Sequence, residues 1–208
     1  MVSKVFILGR TGSGKSTASR MLADMAQQCG WSVEAFNDYP FLREMYVTNP
    51  GKRFRSTDYN GFEVLDLSVY DEAISRLLLN VQDYRPQTDK TLLTIEFTSN
   101  NYAHTLERFD EELMQGANFM FIAADLKTCI ERVNRRTIHP ITKDDYYVLE
   151  TVLLHHYPCP YMPPYVNGGK VMFMNNMGTL HELRCSINSR TLRLLEHDEK
   201  KSHLFTFV

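Results

Sequence analysis

Near the start of the chain, glycines, a lysine and two hydroxyls fall at a spacing with a definite chemical use: Gly9-Arg10-Thr11-Gly12-Ser13-Gly14-Lys15-Ser16-Thr17. Glycines let the backbone curl so that successive N–H groups converge, and such a nest binds anions. Gly9, Gly14, Lys15 and Ser16 fill the fixed places of the pattern G-x-x-x-x-G-K-[ST], which cradles the phosphates of a nucleoside triphosphate. In that role Lys15 reaches the β- and γ-phosphates, and the Ser16 hydroxyl ligates Mg²⁺. Every residue from Gly9 to Thr17 is thereby a candidate nucleotide contact.

Phosphoryl transfer also needs a carboxylate to orient or deprotonate an acceptor hydroxyl. Asp38 is the preferred base, because it stands at the C-terminal end of an alternating strand and open α/β sheets keep their ligand crevice at strand C-termini. Glu96 ends an apolar strand and suits a water-mediated Mg²⁺ ligand. Asp125 also follows an apolar run, where it is expected to cap a helix. Asp66 and Glu63 are outside candidates on the acceptor side, and Asp144-Asp145 suit a helix start for dipole reasons. Lys52, Arg53 and Arg55 form a basic triplet that could clamp an anionic acceptor or simply be a solvated loop. His155-His156 beside Cys159 fits no common zinc spacing.

The elements that must position these groups follow from periodicity. Val5 to Leu8 is a buried strand running into the glycine loop, and Ser16 to Cys29 is a helix stopped by Gly30. Trp31 to Phe36 is a second strand, ended at Asn37-Asp38-Tyr39-Pro40, with Pro40 biasing Tyr39 toward extended geometry. Residues 41–90 are irregular: a short helix over Phe41 to Tyr46, turns at Asn49-Pro50-Gly51 and over 58–62, and a helix from Ser68 to Val81. Thr91 to Phe97 is apolar enough for a central strand. A helix from Asn101 to Gln115 would place Leu106, Phe109, Leu113 and Met114 on one side, capped by Gly116. Asn118 to Ala123 is the next strand, followed by a helix from Asp125 to about Arg136 and another over 144–156. A Pro- and Tyr-rich loop over 157–167, a strand from Lys170 to Met174 and a helix from Thr179 to Leu195 close the pattern. Alternation of strand and helix predicts an α/β fold of three layers, with a mainly parallel sheet and helices on both faces.

Composition narrows the function classes. The 208 residues suit one domain over 1–208, with 43% hydrophobic and 23% charged residues as in ordinary soluble proteins. A net charge of −2 offers no bulk attraction to nucleic acid, so polynucleotide phosphorylation is disfavoured. The four dispersed cysteines predict reduced thiols in the cytoplasm. The N-terminus enters the first strand directly, which predicts no signal peptide. No run approaches the ~20 apolar residues of a membrane span.

Three patterns together resemble P-loop kinases of the nucleoside and nucleotide kinase type, such as adenylate kinase and dephospho-CoA kinase. They are the glycine loop, the run Phe119 to Asp125 leading into Glu131-Arg132-Val133-Asn134-Arg135-Arg136, and Val171 to Leu183 with its Asn175-Asn176-Met177-Gly178 turn. The resemblance implies a strand order 2-3-1-4-5 and ATP with Mg²⁺ as cofactors. It also implies that Arg132 packs on adenine and Arg136 reaches the phosphates from a lid over about 132–145, with Arg135 as a spare. Asn176 and Gly178 would contact the base through backbone groups; 41–90, where such kinases hold the acceptor, matches none of their motifs, so the acceptor candidates Asp38, Arg53 and Arg55 rest on the residues alone. The chain lacks the D-G-x-P-R segment of adenylate kinases and the E-R-S or D-R-[FYH] of deoxynucleoside kinases; Glu96-Phe97-Thr98-Ser99 stands there instead. The expected activity is ATP-dependent phosphorylation of an unidentified nucleoside, nucleotide or anionic metabolite. The competing class is a nucleotide-binding regulatory protein that hydrolyses ATP slowly and transfers to nothing.

Overall fold

The computed structural model describes residues 1–48, 50–56, 62–88, 90–99, 102–134 and 171–204. Arg135, Arg136, the helix expected over 144–156 with Asp144 and Asp145, the loop over 157–167 and the His155-His156-Cys159 group lie outside the described residues. Of the lid expected over 132–145, only 132–134 are described.

Five strands form one sheet: β1 (Val2–Gly9), β2 (Ser32–Asn37), β5 (Thr91–Glu96), β6 (Asn118–Ala123) and β7 (Val171–Asn175). Their order is β2-β5-β1-β6-β7 and every pairing is parallel. Counted within this sheet alone, that is 2-3-1-4-5, the order the family resemblance implies. The register does the work that function needs. Glu96 is level with Ile7 of β1 and with Asn37 of β2, so Gly9, Asp38 and Glu96 emerge together at one edge.

Alternation sends side chains to two packed faces. Phe6, Leu8, Ile95, Phe119 and Phe121 pack on one side with Ile74 and Leu77 of α4 (Ser68–Asp83), Leu106 of α5 (Tyr102–Leu106) and Met114 of α6 (Glu111–Met114). Val5, Ile7, Leu92, Met120 and Ile122 pack on the other with Ala18 and Leu22 of α1 (Lys15–Gln28). There they also meet Leu183, Ile187 and Leu194 of the last helix (Leu180–Leu204). Each fully buried large apolar side chain contributes about 1.5–3 kcal/mol, and the inner strands supply Phe6, Ile7, Leu92, Ile95, Phe119 and Met120 among them.

The region 41–90 has its own small core. Leu42 and Met45 of α2 (Tyr39–Thr48) meet Phe54, Phe62 and Val64 of a hairpin, together with Val69 and Ala73 of α4. The hairpin strands are β3 (Phe54–Ser56) and β4 (Phe62–Val64), preceded by the single turn α3 (Pro50–Arg53). The antiparallel pair is not among the sequence expectations; of the turn expected over 58–62, only residue 62 is described.

Two other expectations need correction. Tyr39 is not extended: it opens α2, with Pro40 in the first turn, where a missing N–H costs nothing. The carbonyl of Asp38 accepts from the N–H groups of Phe41 and Leu42, so the base candidate sits at a strand-to-helix junction. The helix expected over 101–115 is broken into α5 and α6. Phe109, between them, lies edge-on to Phe6 and stacked with Phe97, and Asp110 is extended. Core packing of one aromatic outweighs continuity of the helix.

Candidate functional site

The phosphate loop joins β1 to α1 at the sheet's C-terminal edge. Gly9 has φ 142° and Gly14 φ 101°, a region side-chain-bearing residues avoid. Space forbids a side chain as well: a Cβ on Gly9 would strike the Ile122 carbonyl oxygen, and one on Gly14 the Asn176 amide. The loop is closed by the Ser13 N–H donating to the Arg10 carbonyl at 3.0 Å. Helix α1 has no acidic residue in its first turn, so its N-terminal dipole is left to an incoming anion.

Lys15 is buried and donates from Nζ to the carbonyls of Gly9 (2.8 Å) and Arg10 (3.1 Å). Its charge is thus held across the loop it serves. Sequence reasoning missed the residue that anchors the loop from behind. Tyr102, buried at the start of α5, donates from Oη to the Gly9 carbonyl at 2.8 Å and lies 3.2 Å from the Gly9 N–H. Burial pushes that phenol far above its ordinary range, so it stays a neutral hydrogen-bonding group. No local signal marks it, since 93 positions separate the partners.

On the loop's acidic side, Ser16 Oγ donates to Glu96 Oε1 at 2.6 Å. Asp38 is 8% exposed and its Oδ2 accepts from the Thr98 N–H at 3.0 Å. Burial raises its pKa to about 6; the Thr98 N–H and Lys15 oppose the rise, and Glu96 adds to it. Lys15, Ser16, Asp38 and Glu96 line one cleft of about 270 Å³ with Arg10, Thr11, Gly12, Asn37 and Thr98. Its remaining walls are Tyr39, Leu42, Phe62, Val64 and Tyr70, none of which had been singled out as a site residue. A hydroxyl and a carboxylate paired beside an anion nest are hard oxygen donors of the kind Mg²⁺ takes, the rest of its shell coming from phosphates and water.

On the loop's other side, Arg132 near the end of α7 (Leu126–Asn134) donates from Nη1 to the Ser13 carbonyl (3.3 Å) and from Nη2 to the Asn176 carbonyl (2.9 Å). Asn176 Nδ2 donates to the same Ser13 carbonyl at 2.6 Å. The turn after β7, α7 and the phosphate loop are therefore tied at one point. Gly178 abuts the Glu182 carboxylate, where a Cβ would collide. That carboxylate accepts from the Thr179 N–H (2.6 Å), and Thr179 Oγ1 accepts from the Glu182 N–H (3.2 Å). This capping box starts the last helix. Asp125 caps α7, accepting from the Thr128 N–H at 2.6 Å.

The basic triplet is not in the cleft. Arg53 pairs with Glu72 (2.9 Å) and Asp66 (3.4 Å) and binds Ser68 Oγ. The Glu72 carboxyl is held below its usual range chiefly by the Arg53 hydrogen bond. Arg53 thus ties the hairpin to α4, and neither Lys52 nor Arg55 is among the described lining residues. Asp66 is taken up by this network, and the Glu63 side chain lies outside the described residues.

The Arg132 geometry carries an expected result. If the guanidinium supports adenine, Arg132→Ala should weaken ATP binding by about 1–2 kcal/mol and leave inorganic triphosphate unchanged. Equal losses for both ligands in calorimetry would mean that Arg132 acts through Ser13, by shaping the phosphate loop.

No protein-family profile matches the chain, and no curated protein matches it in sequence. Solved structures do share its architecture. A provisionally named kinase from Chloroflexus aurantiacus superposes with a TM-score of 0.58 at 14% identity, covering 94% of this chain and 97% of that one. Kti12 from Chaetomium thermophilum, solved with ADP-AlF3, gives 0.54 at 12% identity over 91% and 96%. A gluconokinase from Sinorhizobium meliloti gives 0.50 at 15% identity over 97% and 98%. With a parallel 2-3-1-4-5 sheet, a glycine loop after its central strand and these structural neighbours, the chain has the fold of the P-loop kinases.

Proposed function

We propose that this protein is an ATP- and Mg²⁺-dependent phosphotransferase acting on the hydroxyl of a small molecule. The observation that carries the reading is the placement of Asp38 in the same cleft as Lys15 and Ser16, a cleft of about 270 Å³ walled also by Tyr39, Leu42, Phe62, Val64 and Tyr70. A buried carboxylate in the cleft that also holds the phosphate loop suits the orienting or deprotonating of an acceptor hydroxyl, which nucleotide binding alone does not require. The structural neighbours include a gluconokinase, which supports the reaction class and leaves the substrate open.

In this reading the glycine loop and the N-terminus of α1 hold the β- and γ-phosphates, Lys15 turns from the Gly9 and Arg10 carbonyls to them, and Arg132 steadies the adenine side. Ser16 and Glu96 would hold Mg²⁺, which supplies charge neutralisation on the phosphates. The acceptor oxygen bonds to the γ-phosphorus as the bond to the ADP oxygen breaks. Its proton passes to Asp38, and the products are ADP and a phosphate monoester. Among the described residues no helix is long and apolar enough to cross a membrane. Cys29, Cys129 and Cys185 are free thiols, which supports a cytoplasmic setting.

The test is a screen of hydroxyl metabolites with MgATP, reading ADP release against an acceptor-free blank. At least one acceptor should raise release well above the blank. A rate that no acceptor changes would favour the slow hydrolase instead.

A further inference from the structure

The two carbonyls that hold Lys15 each have a second donor. The Arg10 carbonyl accepts from the Ser13 N–H at 3.0 Å as well as from Lys15 Nζ at 3.1 Å. The Gly9 carbonyl accepts from Tyr102 Oη at 2.8 Å as well as from Lys15 Nζ at 2.8 Å. The first of these second donors belongs to the loop itself, whereas the other is a side chain brought from 93 positions away. We infer that Tyr102 is a positioning residue for phosphate binding: by covering the Gly9 carbonyl, it lets Lys15 leave for the nucleotide without stranding a buried acceptor. The inference rests on the nucleotide side of the phosphotransferase reading and adds the residue through which Lys15 is released.

Gly9 is buried, and a buried carbonyl stripped of its donors costs the fold more than an average hydrogen bond contributes. Phosphates can draw Lys15 away only by as much as they exceed what it gives up at Gly9 and Arg10. With Tyr102 in place, the Gly9 carbonyl keeps a short bond after the ammonium has gone. The hydroxyl has one proton, and its other acceptor, the Phe97 carbonyl, lies farther off at 3.2 Å. O–H···O bonds prefer about 2.7–2.8 Å, so the geometry favours Gly9. The same oxygen accepts from the Gly9 N–H at 3.2 Å, which fixes both backbone groups of the residue where the loop begins. The ring is buried and packed against Phe97, with centroids 5.5 Å apart, so the hydroxyl is already in place. Burial keeps the phenol protonated, and its role does not change with working pH.

Tyr102→Phe removes the hydroxyl and keeps the ring. Calorimetry with MgATP and with magnesium triphosphate should show both weakened by the same factor, roughly five- to fiftyfold. Both ligands draw Lys15 out, and only one carries a base. Unchanged affinities overturn the inference. A loosened loop would also lower affinity, so a second readout is needed that a merely structural role would not move. Urea unfolding without nucleotide supplies it, across the natural protein, Tyr102→Phe, Lys15→Ala and the double variant. In the natural background Lys15 still covers the Gly9 carbonyl after Tyr102→Phe; in Lys15→Ala the same change removes the second of its two side-chain donors. Tyr102→Phe should therefore destabilise Lys15→Ala more than it destabilises the natural protein. Equal losses in the two backgrounds overturn the inference, whatever the affinities. The failures are distinguishable. A natural protein that binds neither probe removes the nucleotide reading and this inference with it. One that binds both, and binds them equally well as Tyr102→Phe, removes the inference alone.

Discussion

Asp38→Asn should abolish most acceptor-dependent turnover while making the ligand-free protein more stable at neutral pH. A positioned base contributes about 10²–10⁴-fold, and asparagine offers the acceptor hydroxyl no proton sink. The stability gain follows from burial. The pKa of Asp38 is raised to about 6 in the fold, chiefly by desolvation, against ~3.9 in an unfolded chain. Between about pH 4 and pH 6 the native state keeps a proton that the unfolded state has lost, so stability falls as pH rises through that window. Above it the ionised carboxylate costs the fold a few kcal/mol. Asparagine escapes that cost and can still accept from the Thr98 N–H. Urea unfolding at pH 4 and pH 8 should show the variant's advantage mainly at pH 8; an equal effect at both would contradict the burial argument. Turnover of the natural protein should rise through about pH 6 as Asp38 ionises. MgATP affinity should change little in Asp38→Asn, whereas Glu96→Gln should weaken the Mg²⁺ dependence of ATP binding. Calorimetry across a Mg²⁺ series distinguishes the two, and an exchange of these phenotypes would reverse the roles.

Lys15→Ala is expected to remove nearly all stabilisation by MgATP. At a hundred times its Kd a ligand adds about 2.7 kcal/mol to folding stability, and thermal unfolding with and without MgATP reads the difference directly. The fold should survive, because the Gly9 carbonyl that Lys15 occupies also accepts from Tyr102. A second consequence is electrostatic. Lys15 lowers the pKa of Asp38, so its loss should raise that pKa further and move the acid limb of any residual turnover to higher pH. An undiminished MgATP shift in the variant would show that Lys15 does not serve the phosphates.

What could be read from the sequence was whatever local spacing determines. The glycine loop is legible because its chemistry is set by nine contiguous residues, and the inner strands because large apolar residues supply most of both their buried faces. Asp38 and Glu96 could be placed at a common edge once the strands were ordered, since parallel strands put their C-terminal ends together. The hairpin was not legible: β3 and β4 have three residues each, too short for alternation to register. For Arg53 the spacing left an anion clamp and a solvated loop both open, because its partners, Asp66 and Glu72, are remote in sequence and nothing local announces them. Tyr102 and the Tyr39–Phe62 stack are likewise products of tertiary contact. The 101–115 helix failed for the same reason, since Leu106, Phe109, Leu113 and Met114 have helical spacing whether or not Phe109 is drawn toward Phe6.

The separate core under the hairpin bears on how such a protein can diverge. Leu42, Met45, Phe54, Phe62, Val64, Val69 and Ala73 pack with one another, while the loop, Lys15 and Arg132 are held by β1, α1, α7 and the turn after β7. Substitutions far apart and without shared partners combine nearly independently. A lineage could therefore rebuild the wall that meets the acceptor, ring by ring, and leave its nucleotide chemistry intact. Phe41, which packs against both this core and the main one, and α4, which gives Val69 and Ala73 to one and Ile74 and Leu77 to the other, are where the two histories would meet and where drift in one half would be felt by the other.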